Sequence, residues 1–218
     1  MLALPSGIGK QFSRSYSEQQ SNIKMKTRNE ELEEMIDLAI KSIWTYTIFR
    51  TLFRKEDADC EVRREHPEFF LAMHDSLLCS FCVAVEILFE ENAKATSLWS
   101  LVRQAERQLS NKLETRIQAH KSSIKDIETL RHQVCAHRWQ TKSPQKVLAE
   151  VKLRINAMTE IAQLTRFVIL ELAEDIDSKR KVELEKQQLS ESTLGCVAKD
   201  ALKVLQAFRG GEGSARGT

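Results

Sequence analysis

The sequence predicts an all-α fold, an up-and-down antiparallel helical bundle with an extra C-terminal helix. Three observations carry that prediction. The seven glycines are Gly7, Gly9, Gly195, Gly210, Gly211, Gly213 and Gly217, so none falls between Lys10 and Leu194. Hairpins and βα loops draw on glycine for positive φ, and a long stretch without it implies helices joined by short polar turns. Apolar residues recur every three or four positions instead of alternating. Pro67 and Pro144 sit where helices would begin, a position at which the missing N–H costs nothing.

Taken in order, residues 1–27 are polar and serine-rich and are expected to form a flexible arm. The first helix is expected from about Asn29, with Leu32, Met35, Ile36, Ala39, Ile43, Tyr46, Phe49 and Phe53 on its stripe, ending in the charged turn Arg54-Lys55-Glu56-Asp57. The second starts at Pro67 and carries Phe70, Met73, Leu77, Phe81, Ala84 and Leu88. Val83, Val85 and Ile87 widen that stripe, so this helix is expected to be the most buried. A short helix is expected over Ser97–Leu109. Asn111 with Glu114 then resembles a capping pair opening a helix that runs to about His137. Its stripe of Leu113, Ile117, His120, Ile124, Ile127, Arg131 and Val134 puts polar residues at two apolar positions. Ser143-Pro144 opens a heptad-like helix through Val151, Ile155, Met158, Ala162, Thr165, Ile169, Leu172 and Ile176. Residues 178–208 form the C-terminal helical extension, weakened by Gly195, and 209–218 a disordered glycine-rich tail.

Composition narrows the function classes. At 42% hydrophobic the chain can build a core, and 33 basic against 31 acidic residues leave a net charge of +2. Such a balance makes no global case for nucleic acid, so any RNA site must be a local patch. No uninterrupted apolar run reaches the roughly 18 residues a span needs; Phe81–Phe89 is broken by Glu86. With no signal-peptide pattern, the protein is expected to be cytoplasmic and off the membrane. Five cysteines without a scaffold spacing are expected to be free thiols. The absence of a glycine-rich phosphate loop removes P-loop and Rossmann readings.

The chemistry concentrates in Leu130-Arg131-His132-Gln133-Val134-Cys135-Ala136-His137-Arg138. A histidine can move protons near neutral pH, and an arginine can hold a phosphate. Metal-free RNA cleavage needs that pairing: a base for the 2′-hydroxyl and a cation for the phosphate. The bland alternative is that Arg131 pairs with Glu128 and the histidines are merely exposed. Cys79-x-x-Cys82 with Cys135 and His137 can be drawn as a zinc site, but a CxxC inside an apolar helix is more simply a pair of small hydrophobes, and no metal or cofactor is expected. His120 reads as a hydrogen-bonded core or interface residue and His74-Asp75 as a solvated helix end. Trp44 and Trp99 read as packing residues, and Lys179-Arg180-Lys181 as a solvated face.

Arg131, five residues, then His137 resembles the signature of the HEPN superfamily. Phe69-Phe70-Leu71, Ser97-Leu98-Trp99-Ser100-Leu101 and Ala136-His137-Arg138 add a likeness to its abortive-infection U-type (AbiU-like) branch. The resemblance covers residues 28–177. It implies a HEPN-like bundle that dimerises and cleaves RNA without metal, as a toxin or in phage defence, with an RNA substrate and a cognate antitoxin protein as partners. His137 would be general base or acid and Arg131 the phosphate clamp. His132 and Arg138 would support them, with Trp139 available to stack on a base. Where the family commonly has asparagine or aspartate after the arginine, this chain has His132. The alternative function is a non-catalytic dimeric helical module that binds a partner protein or nucleic acid.

Overall fold

The computed structural model describes residues 27–53, 57–92, 95–132 and 155–215. The expected N-terminal arm up to residue 26 and the Ser143-Pro144 helix start lie outside them. Among the described residues every regular element is helical, and the fold is an all-α bundle.

Helix α1 (Arg28–Leu52) is its centre and packs against the second-half helices as well as its neighbours in sequence. Thr27 caps it. Its hydroxyl accepts the Glu30 N–H at 3.3 Å, and the Glu30 carboxylate accepts the Thr27 N–H at 2.8 Å, so both orphan donors are satisfied. Leu32, Ile36, Ala39, Ile43, Ser42 and Thr51 are all buried, which wraps the burial most of the way round, as a helix enclosed by others requires.

Helix α2 (Asp57–Glu65) stands where the sequence suggested only a charged turn. Among its described side chains, Val62 is buried against Leu52, Phe70, Ala201 and Leu205. Helix α3 (Pro67–Leu88) starts at the expected proline and buries Leu78, Phe81, Cys82, Val85 and Leu88. It is not the most buried helix. Val83 and Ile87 are exposed, because at 100° per residue they lie across the helix from the stripe that α1 covers. Length and composition alone would let α3 cross a membrane. Counting uninterrupted apolar runs overlooks this, since Glu86 breaks the run without ending the helix.

Helix α4 (Leu98–Gln104) is capped by Ser97, whose hydroxyl accepts the Ser100 N–H at 3.3 Å. Ala105 is extended, with φ −73° and ψ 166°, so the helix expected over Ser97–Leu109 is two elements. Helix α5 (Arg107–Ala119) therefore runs straight through the supposed Asn111 cap; within it, the Ser110 hydroxyl donates to Glu114 at 3.3 Å. His120 then interrupts the stripe, with φ −108° and ψ 9°, and helix α6 (Lys121–Leu130) begins. The break is invisible to periodicity because Leu113 and Ile117 before it and Ile124, Ile127 and Leu130 after it are all buried. His120 Nδ1 bonds the Arg116 carbonyl at 3.0 Å, so it is a turn residue, not a core one.

Helix α7 (Ile155–Ile176) packs along α1. Asp177 caps the short α8 (Ser178–Glu183) by accepting the Lys179 N–H at 2.9 Å. A π-type turn over Leu184–Gln188 leads to α9 (Glu191–Ala215). That helix continues past Arg209, where a disordered tail was expected, through Gly210, Gly211 and Gly213. The C-terminal segment is not an appendage. Ala201 and Leu205 are buried with Leu52 and Phe70, and the Phe208 ring meets those of His66, Phe69 and Phe70. Arg180 adds a two-pronged bond to Glu33 on α1, at 3.0 and 2.6 Å, the geometry in which arginine pairs best with a carboxylate.

Candidate functional site

Buried Ile127 and Leu130 pin the end of α6 against the bundle, and the chain leaves in a wider π-type turn at Arg131 and His132. That anchoring aims Arg131 at α3. Its guanidinium grips Glu86, with Nε 2.8 Å from Oε2 and Nη1 3.2 Å from Oε1. Arg131 thus pairs with Glu86, a residue that composition presented only as an interruption in an apolar run. The Glu128 pairing weighed from the sequence is not made. Glu86 had a signal that could have found it: a carboxylate inside an apolar helix face is expensive unless paired.

His132 lies on the same carboxylate, its Nε2 3.4 Å from Glu86 Oε1. Its Nδ1 is 3.3 Å from Arg131 Nη1. Because a guanidinium can only donate, Nδ1 must be the accepting nitrogen, which places the imidazole proton on Nε2, facing Glu86. The arrangement is an acid–cation–imidazole cluster built on one carboxylate. The Arg131 side chain remains 32% exposed and that of His132 55%, against 24% for Glu86. The carboxylate is therefore the floor of the cluster and the two basic groups are its rim.

A cavity of about 490 Å³ adjoins it, lined by Glu86, Glu90, Glu91, Glu128, Lys121 and Lys125 among others, with His132 at its edge. Lys121 reaches Glu91 at 2.7 Å. Burial raises the Glu128 pKa above the usual carboxylate range, and the negative charges of Glu86 and Glu91 raise it further. The cavity wall is thus more acidic than basic, and an anion approaching Arg131 must compete with Glu86.

The other residues singled out in the sequence are distributed as follows. His137, Arg138 and Trp139 lie outside the described residues. His74 is 3.3 Å from Asp75, but its ring packs between Phe49 and Phe53, so it is part of the α1–α3 contact and not a solvated end. Trp99 is buried beneath Arg103, and Trp44 donates its indole N–H to the Gln188 carbonyl at 3.3 Å. In the basic run after Asp177, Arg180 and Lys181 are tied to Glu33 and Glu174. The expectation of five free thiols needs correction, because Cys79 is disulfide-bonded; sequence spacing says nothing of which sulfurs meet. Cys82 is buried in α3, and burial, helped by Glu86, pushes its thiol up to about 12. It stays protonated at neutral pH, and a metal would require the thiolate. Among the described residues no three histidine, cysteine or acidic groups stand together as a metal site.

No family model, curated protein or solved structure matches this chain.

Proposed function

We propose that the protein is a HEPN-type, metal-independent endoribonuclease acting as a homodimer in phage defence or toxin–antitoxin biology. One observation supports this reading above others. Arg131, the arginine of the motif, is held by a carboxylate fork with an imidazole beside it, yet keeps about a third of its side chain open to solvent. A cation that served only to neutralise Glu86 has no need of that exposure. In this mechanism the 2′-hydroxyl of RNA attacks its own phosphate. His137 takes or returns the proton, Arg131 binds the phosphate after exchanging with Glu86, and His132 and Arg138 assist. The dimer is supported by exposed Val83 and Ile87, which lie together to one side of Glu86 on α3 and give an apolar surface near the cluster.

A second reading rests on a specific observation of its own. The Glu86 fork and the glutamates of the adjoining cavity work against phosphate, which favours a non-catalytic dimeric module. One comparison separates the two. Wild type incubated with mixed cellular RNA should leave 2′,3′-cyclic phosphate ends. His137→Ala should lower the rate by about 100- to 10,000-fold, the usual cost of losing a general base, with little change in melting temperature. Arg131→Ala should also abolish cleavage. Light scattering on the same preparations should give a dimer. If wild type cleaves no RNA, or His137→Ala cleaves as well, the module reading replaces the enzyme.

A further inference from the structure

A second cleft, of about 630 Å³, shares no residue with the cavity beside Glu86. Three helices build it, each with one face at helical spacing. Ile43, Tyr46, Thr47 and Arg50 come from α1, Thr159, Ala162, Gln163 and Arg166 from α7, and Glu191, Leu194, Gly195 and Ala198 from α9. The volume falls inside the roughly 300–1,000 Å³ typical of small-molecule sites.

Two of its charges are loosely held. Among the described residues the Arg50 guanidinium has no hydrogen bond or ion pair. Arg166 keeps a buried Nε without a partner. Its one ion pair is a 3.3 Å contact from Nη1 to Glu191, whose side chain is 88% exposed, a kind of pair that holds weakly. The α9 side of the cleft, which carries Leu194 and Ala198 beyond Glu191, is open at Gly195, where a built Cβ meets nothing within 4 Å. Tyr46 and Thr159 bond each other through their hydroxyls at the floor. Two under-used guanidinium groups lining one cleft with an open apolar side suit a ligand with a doubly charged head and a flat or apolar body.

We propose that this cleft binds a small organic phosphate of nucleoside-monophosphate size. Its phosphate lies between Arg50 and Arg166, where planar forks match phosphate oxygens. Its organic part lies against Leu194, Gly195 and Ala198. Binding satisfies the orphan Nε of Arg166 and displaces the loose Glu191. The site stands independently of the ribonuclease reading, since none of its residues touches the Arg131 cluster.

Titration calorimetry of the full chain tests it with three probes: adenosine monophosphate, adenosine and inorganic phosphate. The nucleotide should bind, and each half-molecule should bind at least about tenfold more weakly, as expected when charge-assisted bonds and apolar contact both contribute. Arg50→Gln, at an exposed position near the end of α1, and Arg166→Gln should each weaken the nucleotide by about tenfold or more. Gly195→Leu leaves both arginines in place and fills the open wall, so it should remove binding while the helical circular dichroism stays unchanged. No heat from the nucleotide with wild type overturns the proposal. So does phosphate binding as tightly as the nucleotide, or Arg50→Gln or Gly195→Leu binding like wild type.

Discussion

In the cavity beside α6 the positive groups have anions to hand. Arg131 and His132 share Glu86, and Lys121 reaches Glu91. In the cleft between α1, α7 and α9, Arg50 has none among the described residues and Arg166 has one loose contact. The first site is neutralised from within, so a ligand anion has to displace a glutamate. The second offers Arg50 without an exchange and Arg166 for the loss of one exposed, loosely held glutamate. Sequence reading favoured the first because two histidines and two arginines stand close together in the chain. The second is assembled from residues more than a hundred positions apart, and no local pattern announces it.

The largest expected effect separates a paired cation from an unpaired one. Glu86→Gln removes the negative charge and puts an NH2 donor where one of the two acceptor oxygens shared by Arg131 and His132 stood, and it should cost about 1–3 kcal/mol, the penalty for leaving part-buried partners unsatisfied. Arg50→Gln should stay within about 0.5 kcal/mol, as surface changes away from such features do. Urea denaturation of the two variants reads the contrast directly. Equal losses would mean that Arg50 holds the fold in a way the open cleft does not reveal.

The same contrast explains what could be read in advance. The body of α1 and the start of α3 were legible because apolar spacing reports burial within one element and Pro67 is a local start signal, whereas the Thr27–Glu30 cap of α1 was not read from the sequence. Three things were not. The breaks at Ala105 and His120 leave the apolar register intact on both sides, so periodicity runs through them. Among the described side chains of α2, Val62 is buried, and its partners Ala201 and Leu205 are far away in the chain. The exposure of Val83 and Ile87 depends on which stripe of α3 a neighbour covers, and composition cannot say. At the candidate site Arg131 and His132 were legible as a motif, whereas Glu86, which positions both, was visible only as a charge out of place.

A smaller effect sharpens the description of the open wall. Gly195 lies inside α9, where glycine is the poorer helix former, and a methyl group there meets nothing within 4 Å. Gly195→Ala should therefore stabilise by about 0.5–1 kcal/mol, through reduced freedom of the unfolded chain and better helix propensity. A higher denaturation midpoint with an unchanged slope is the expected result. A loss of stability would show that the wall is closed by contact with something other than solvent.

The smallest effect belongs to Glu128, whose partly exposed side chain lets solvent screen its neighbours. Its pKa is raised from the usual 4.5, first by burial and then by the charges of Glu86 and Glu91. The folded state therefore holds this proton more tightly than the unfolded one. Stability falls as pH rises from about the ordinary carboxylate value through the raised folded value, and it stays lowered above that. Glu128→Gln removes the charge without removing the shape. It should melt higher than wild type at neutral pH, and the difference should vanish as pH drops below the ordinary carboxylate range. The background matters as well. In Glu86→Gln one of the charges acting on Glu128 is gone, so adding Glu128→Gln should then gain less, though not nothing, because burial is the leading cause. Melting curves of the two single variants and the double variant across pH measure both points. A gain from Glu128→Gln that is the same at every pH would assign it to packing, and the acidic character of the cavity would then play no part in the stability of the fold.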